Sequence, residues 1–320
     1  MTLLPRSPAT FTRFAWAVLA YNVAVVLWGA LVRATGSGAG CGRHWPACNG
    51  EILPELASTH TFIEFTHRVT SGLALVAVVA MLVLARRIFP AGHLARRGAR
   101  LSLVLIVVEA LLGAGLVLFE LVADNSSGTR AFSMAAHLVN TFLLLGALTL
   151  TAWWGGGGGE IRVRGQGVVG AVLLGAIGAV MLVGATGAIT ALGDTLFPRT
   201  GPGLDLGPTA HFLERLRIVH PLLAVATSVY ITAAAWLVRR YRPGPATARL
   251  AVVLTTLFAV QLAAGVVNIV LRVPIWMQLT HLLLADAVWI ALVLTAATAL
   301  QVHPAAEPRR EPAPGEPVLA

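Results

Sequence analysis

The sequence predicts an all-α polytopic membrane protein with eight transmembrane helices. Three observations carry that fold class: 57% hydrophobic side chains, only 12% charged ones, and a mean hydropathy of +0.80 over 320 residues. Ordinary soluble domains carry roughly 25% charge. A soluble globule, a disordered chain and a nucleic-acid binder are therefore excluded.

A bilayer-spanning helix needs about 20 mostly apolar residues. Eight stretches qualify: Phe14–Val32, Phe62–Ala85, Leu101–Val122, Ser133–Trp154, Val168–Ala191, Ile218–Val238, Leu250–Val270 and Ile275–Leu300. Barrel strands would alternate over about ten residues, whereas these runs stay apolar on most sides for twice that length. The first stretch follows Arg6 and Arg13 but is long for a signal core and has no nearby small-x-small site, so it reads as an anchor.

All 23 basic residues are arginines. With the N-terminus inside, one side collects Arg6, Arg13, Arg86, Arg87, Arg96, Arg97, Arg100, Arg162, Arg164, Arg239, Arg240, Arg242, Arg249, Arg309 and Arg310. By the positive-inside rule that bias predicts N-in and C-in, in a cell inner membrane with the cysteine-bearing loop outside.

The two halves resemble each other. Leu31–Gly36 lies over Leu182–Gly187, Glu109–Gly113 over Gln261–Gly265, His67 precedes His220, and His137 precedes His281, at similar offsets. An internal repeat of two four-helix bundles follows, related by an axis along the membrane normal. The expected organisation is an N-terminal half over residues 1–154, an inner linker over 155–166 that is glycine-rich and flexible, a C-terminal half over 167–302, and a disordered tail over 303–320, rich in Pro, Ala, Glu and Arg.

Four histidines, His67, His137, His220 and His281, each fall near the start of an even-numbered span. An imidazole in hydrocarbon needs a partner, and an intramembrane polar group points to function. Iron in a planar macrocycle takes an axial nitrogen on each face, so a histidine from each of two facing helices could grip it inside a bundle. Pairing His67 with His137 and His220 with His281 puts one such metal site in each half. The alternative is that these histidines simply hydrogen-bond to neighbouring helices. Zinc fits less well, because two histidines per half lack further ligands.

Glu64 lies three residues before His67 and on the same helix face, where its carboxylate could act as acid, base or stabiliser at the macrocycle edge. Pairing with Arg68 or Arg33 is the bland alternative. Glu109, Asp286 and Gln261 are further intrahelical polar residues that could carry protons or bond between helices. Gly29, Gly36, Gly113, Gly115, Gly184, Gly187 and Gly265 could allow close packing or leave room for a flat cofactor.

Cys41 and Cys48 share an outer loop, as either a disulfide staple or a pair exchanging electrons with an external thiol protein. Arg130, Arg215 and Arg217 lie where guanidinium groups could clamp cofactor carboxylates, and Asp205 and His211 lie in the second outer loop.

Glu64-Phe65-Thr66-His67-Arg68, the segment Cys41-Gly42-Arg43-His44-Trp45-Pro46-Ala47-Cys48-Asn49-Gly50, and the spaced His137, His220-Pro221 and His281 resemble heme A synthase of the oxidase-assembly family. The resemblance spans about residues 14–300, with Arg43-His44 departing from the usual content of the cysteine loop. It implies an oxidoreductase that converts the C8 methyl of heme O to the formyl of heme A for terminal oxidases. In that reading Glu64 is the catalytic carboxylate, His67 and His137 bind the substrate heme, and His220 and His281 hold a resident heme b.

The partners so implied are a heme O donor such as a membrane farnesyltransferase, an unidentified electron donor or acceptor, an outer-side thiol redox protein, oxidase assembly factors and the lipid bilayer, with no nucleic acid. Competing readings are a diheme electron-transfer cytochrome, a disulfide-generating membrane oxidoreductase and, from the repeat, a transporter.

Overall fold

The computed structural model describes residues 7–56, 58–198, 207 and 209–302. Arg6, Arg199, Asp205, Arg309, Arg310 and the tail from residue 303 lie outside the described residues.

Among the described residues, eight helices are long and apolar enough to cross a membrane. They are α1 (Pro8–Ala34), α2 (Thr59–Ile88), α3 (Leu94–Leu118), α4 (Gly128–Gly155), α5 (Gly167–Leu196), α7 (Val219–Tyr241), α8 (Pro245–Val270) and α9 (Ile275–Leu300), with a single turn, α6 (Phe212–Arg215), leading into α7. Most run past the apolar core that the sequence marks, because polar caps and arginines extend the ends into the interface. The sixth span differs most: it starts with α6 and a 3-10 turn, Leu216–Ile218, and Pro221 falls in the first turn of α7, where its missing N–H costs no bond.

Local chemistry sets the starts. Ser7, Ser58 and Ser127 accept from the amides of Thr10, Thr61 and Arg130 at 3.1–3.2 Å, and the His93 ring accepts from Ala95. These side chains satisfy amides that have no intrahelical acceptor. Helix α1 stops where Gly36 takes a left-handed φ of 69°.

Helices α1 to α4 pack in a closed ring, α1 on α2, α2 on α3, α3 on α4 and α4 on α1, and α5, α7, α8 and α9 do the same. The rings meet where α4 packs on α5 and α9 and α1 packs on α9. In the most apolar stretch of each helix about half of the residues of α4 and α9 are buried, against 17% in α3 and α8, so the former are central and the latter peripheral. At the seam Phe142 stacks on Trp289 with centroids 5.1 Å apart, and Trp289 Nε1 donates to the Phe142 carbonyl. Gly184 is needed here, because a Cβ would lie 2.6 Å from the Phe142 ring.

The loops sort to two faces. On one, Phe11 packs on Phe89, Trp154 Nε1 donates to Gly159 O, and Glu160–Ile161 pairs antiparallel with Gln301–Val302. The glycine-rich 155–166 segment is thus tied by backbone bonds, which a reading from glycine content alone does not anticipate. The other face carries the cysteine loop, the 119–127 connection and the short turn from Leu271 to Pro274.

One offset also needs correction. Gly36 ends α1 and meets nothing, whereas Gly187 sits inside α5 against His220; the glycine that faces a histidine from α1 is Gly29. Laying Leu31–Gly36 over Leu182–Gly187 therefore aligns a turn with a helix interior, a slip of about two turns that low-complexity helices permit.

Candidate functional site

Each of the four intramembrane histidines rests against a glycine of a neighbouring helix. A Cβ on Gly29 would lie 3.0 Å from the His67 ring, one on Gly187 would lie 3.0 Å from His220, and one on Gly265 would lie 3.1 Å from His281. At Gly113 the distance to His137 Nε2 is 3.7 Å, ordinary contact. Glycine thus lets the imidazoles approach the backbone of α1, α5 and α8 closely. All four histidines are half-buried, on bundles whose outer faces expose Leu73, Val76, Leu111, Leu222, Val229 and Val266. That apolar surface suits acyl chains, and the rings are reachable from it.

In the C-terminal half, the His220 and His281 ring centroids are 6.3 Å apart with planes 86° from parallel. His220 Nδ1 is 3.1 Å from the carbonyl of Val183, which commits that nitrogen as donor and leaves Nε2 with its lone pair outward. His281 Nε2 is 3.3 Å from Gln261 Nε2, and its Nδ1 is buried without a hydrogen-bond partner among the described residues.

In the N-terminal half, His67 and His137 are near enough to interact electrostatically, and His67 Nδ1 is buried without a hydrogen-bond partner among the described residues. His137 Nδ1 lies 3.1 Å from Glu109 Oε1. Asn140 Nδ2 donates to Glu109 Oε2 at 2.6 Å and Thr141 Oγ1 donates to Oε1 at 2.5 Å. Glu109 therefore bonds between helices, an outcome the sequence left open.

Glu64 is turned toward the cysteine loop. Its Oε1 pairs with Arg68 and its Oε2 accepts the Cys41 amide at 2.8 Å. Arg68 also donates to the carbonyls of His44 and Ala47, both at 2.6 Å. Cys41 and Cys48 form a disulfide, with Asn49 N donating to Cys41 O inside the loop it closes. The loop is thus clasped onto α2 one turn from His67. Of the two partners weighed for Glu64, the structure selects Arg68. Arg33 instead donates to Ala191 O, Thr195 Oγ1 and Gln278 Oε1, joining α1 to α5 and α9.

The remaining arginines also have local partners. Arg130 donates to Ala123 O and Asn125 O, Arg215 to Gly207 O, and Arg217 lies 2.9 Å from Asp194 Oδ1 and donates to Gly193 O. His211 caps α6. Asp286 is fully buried on α9, and neither carboxyl oxygen has a hydrogen-bond partner among the described residues. Sequence reasoning missed the glycine-on-histidine contacts, Glu109 as the neighbour of His137, and Arg33 as a bridge. The one available signal was the placing of Glu109 on α3 and Gln261 on α8 at matching positions of the two halves.

These features define a class: a helical membrane protein with two half-buried histidine pairs, one under a disulfide-closed loop. The chain belongs to the COX15-CtaA family of cytochrome oxidase assembly proteins, which it matches over residues 12–293. Proteins from two strains of Thermus thermophilus, each named protoheme IX farnesyltransferase, are 53% identical over 293 residues, 90% of this chain and 48% of theirs. The chain thus spans about half the length of these relatives. A protein of Bacillus mycoides named heme A synthase is 44% identical over 95 residues, 30% of each chain.

The activity expected from the motifs is corrected by this comparison. The relatives that cover nine-tenths of the chain carry a transferase's name, and those named heme A synthase match less than a third of it. Assignment as heme A synthase is withdrawn. With it go the oxidoreductase class, the oxidation of a heme O methyl, the heme A product and the resident heme b. Paired histidines and a cysteine loop are features of a site, and such features do not by themselves fix which bond is changed.

Proposed function

We propose that this chain is a heme-pathway membrane protein that holds protoheme-type macrocycles between histidine pairs, His67 with His137 and His220 with His281, and serves the chemistry for which its Thermus relatives are named, farnesyl transfer to protoheme IX. The observation that carries the reading is the spacing of the His220 and His281 rings. Two metal–nitrogen bonds of about 2 Å and two ring radii of about 1 Å span roughly 6 Å, and the centroids are 6.3 Å apart. The uncommitted nitrogens of His67 and His281 add to the fit, since either imidazole nitrogen can ligate.

The chain's own residues have separable tasks in this reading. The histidines bind the iron and fix the plane of the macrocycle. The glycines keep the rings on the helix surface. Glu64 and Arg68 hold the Cys41–Cys48 loop over the outer end of the first pocket, limiting water there, and Arg215 is the proposed contact for a propionate in the second half. When bound, protoheme supplies the peripheral carbon that receives the transferred group. Lateral access from lipid suits both an apolar macrocycle and a prenyl chain. The matched placing of the histidine–glycine contacts supports a two-fold repeat, and the arginine clusters support N-in, C-in insertion with the disulfide loop outside an inner membrane.

The test is pigment analysis of the purified full chain after loading with protoheme IX. About two bis-imidazole hemes per chain are expected, visible as low-spin iron in absorbance and electron paramagnetic resonance. A folded chain that stays colourless overturns the proposal. Adding farnesyl diphosphate and weighing the extracted heme then assigns the transfer step: a mass gain places it in this chain, and bound but unmodified heme places it in the part of the longer relatives that this chain does not span.

A further inference from the structure

The two histidine pairs differ in one feature that bears directly on bound iron. Glu109 on α3 sets a carboxylate 3.1 Å from His137 Nδ1, while at the matching place on α8 Gln261 sets an amide 3.3 Å from His281. The carboxylate is braced: Asn140 and Thr141, both on α4, donate to its two oxygens. Those two donors are what an ionised, acceptor-only carboxylate needs when buried, and His137 Nδ1 lies beside it at 3.1 Å without a hydrogen bond among the described residues. Leu284 and Ala285, at the corresponding spacing after His281, offer no such donors.

We propose that Glu109 is a positioning residue that makes the N-terminal site the more oxidised of the two, by placing a fixed negative charge behind the His137 ring where the C-terminal site has a neutral amide. A carboxylate behind a ligating histidine fixes the ring and raises its basicity. A more electron-rich ligand stabilises ferric over ferrous iron, and hydrogen bonding behind the ligand is one of the levers that set a heme potential. The inference rests on the heme-binding reading above and adds an ordering of the two sites to it. In function it would hold the first macrocycle ferric, and so tightly bound by two nitrogen ligands, while the second is reduced more readily.

The experiment is a spectroscopic redox titration of the heme-loaded full chain. In a His281→Ala background only the first-half heme is read, and there Glu109→Gln should raise the ferrous-to-ferric ratio at fixed potential about tenfold, equal to about 59 mV for one electron. Glu109→Asp should restore part of the shift. In a His137→Ala background, Gln261→Glu should move the second-half heme the opposite way, which keeps the test decisive if Glu109→Gln does not fold. Unchanged potentials in the folded variants overturn the inference while leaving heme binding intact. Absence of heme from the unmutated chain would instead remove the reading on which it rests.

Discussion

The N-terminal half sets a carboxylate beside its histidine pair, and the C-terminal half a neutral amide. Helices α1, α2, α3 and α4 all start on side-chain caps, whereas α5, α8 and α9 have none. The first half carries a disulfide, a buried Glu64–Arg68 pair and a carboxylate behind His137. The second relies on a backbone carbonyl behind His220 and an amide near His281. The same ring of four helices can therefore present a histidine pair with different rigidity above it and different charge behind it.

The largest effect that would break this comparison is at the histidines. Replacing His67 and His137 by alanine should lower heme content from about two to about one per chain, and the same change at His220 and His281 should do so independently, as read by quantitative pigment extraction. Loss of both hemes from either double variant would show that the halves are not separate sites.

Next in size is Glu64→Ala. The Glu64 side chain is 4% exposed and its partner Arg68 11%, and removing one member of a buried pair costs about 3–5 kcal/mol. The cysteine loop should become protease-sensitive, with thermal unfolding in detergent at lower temperature. Full protection of residues 41–48 in that variant would show that the disulfide alone holds the loop.

Opening the disulfide by Cys41→Ser with Cys48→Ser should cost somewhat less, roughly 2–3 kcal/mol by the chain-entropy relation for so short a loop. The second histidine pair should keep its heme, because the loop is bonded to α2, in the first half. Smaller again is Gly187→Ala, whose new Cβ would meet His220 at 3.0 Å; crowding of this kind costs about 1–3 kcal/mol, and heme at the second pair should weaken first. The smallest effect is at a helix cap: Ser127→Ala should cost about 1 kcal/mol, read as a small fall in melting temperature, because its hydroxyl accepts the Arg130 amide.

Much of the scaffold was legible because hydrocarbon length is a property of the chain itself. A run such as Leu250–Val270 can satisfy its backbone in lipid only as a helix, and α8 forms there. The four histidines and the cysteine pair were legible as polar exceptions in apolar surroundings. Glu109 was not readable as a neighbour of His137, because two residues so far apart in the chain meet only once α3 and α4 pack. Nor was Arg33 readable as a bridge to Thr195 and Gln278, which lie on α5 and α9 in the other half. Glu64 shows the converse: its spacing from His67 suggested a shared target, yet its nearest cation and the Cys41 amide drew it to the loop.

The reaction was the part that motif similarity carried too far: relatives with a transferase's name cover nine-tenths of the chain, and those named heme A synthase less than a third of it. By itself the sequence determined the eight apolar helices and the depth of their histidines, since hydrophobic length and desolvation act residue by residue. Only the tertiary structure decided which glycine makes room for which imidazole and which acid stands behind it. Those contacts depend on helix rotation and on neighbours distant in the chain, and no local property of the sequence encodes either.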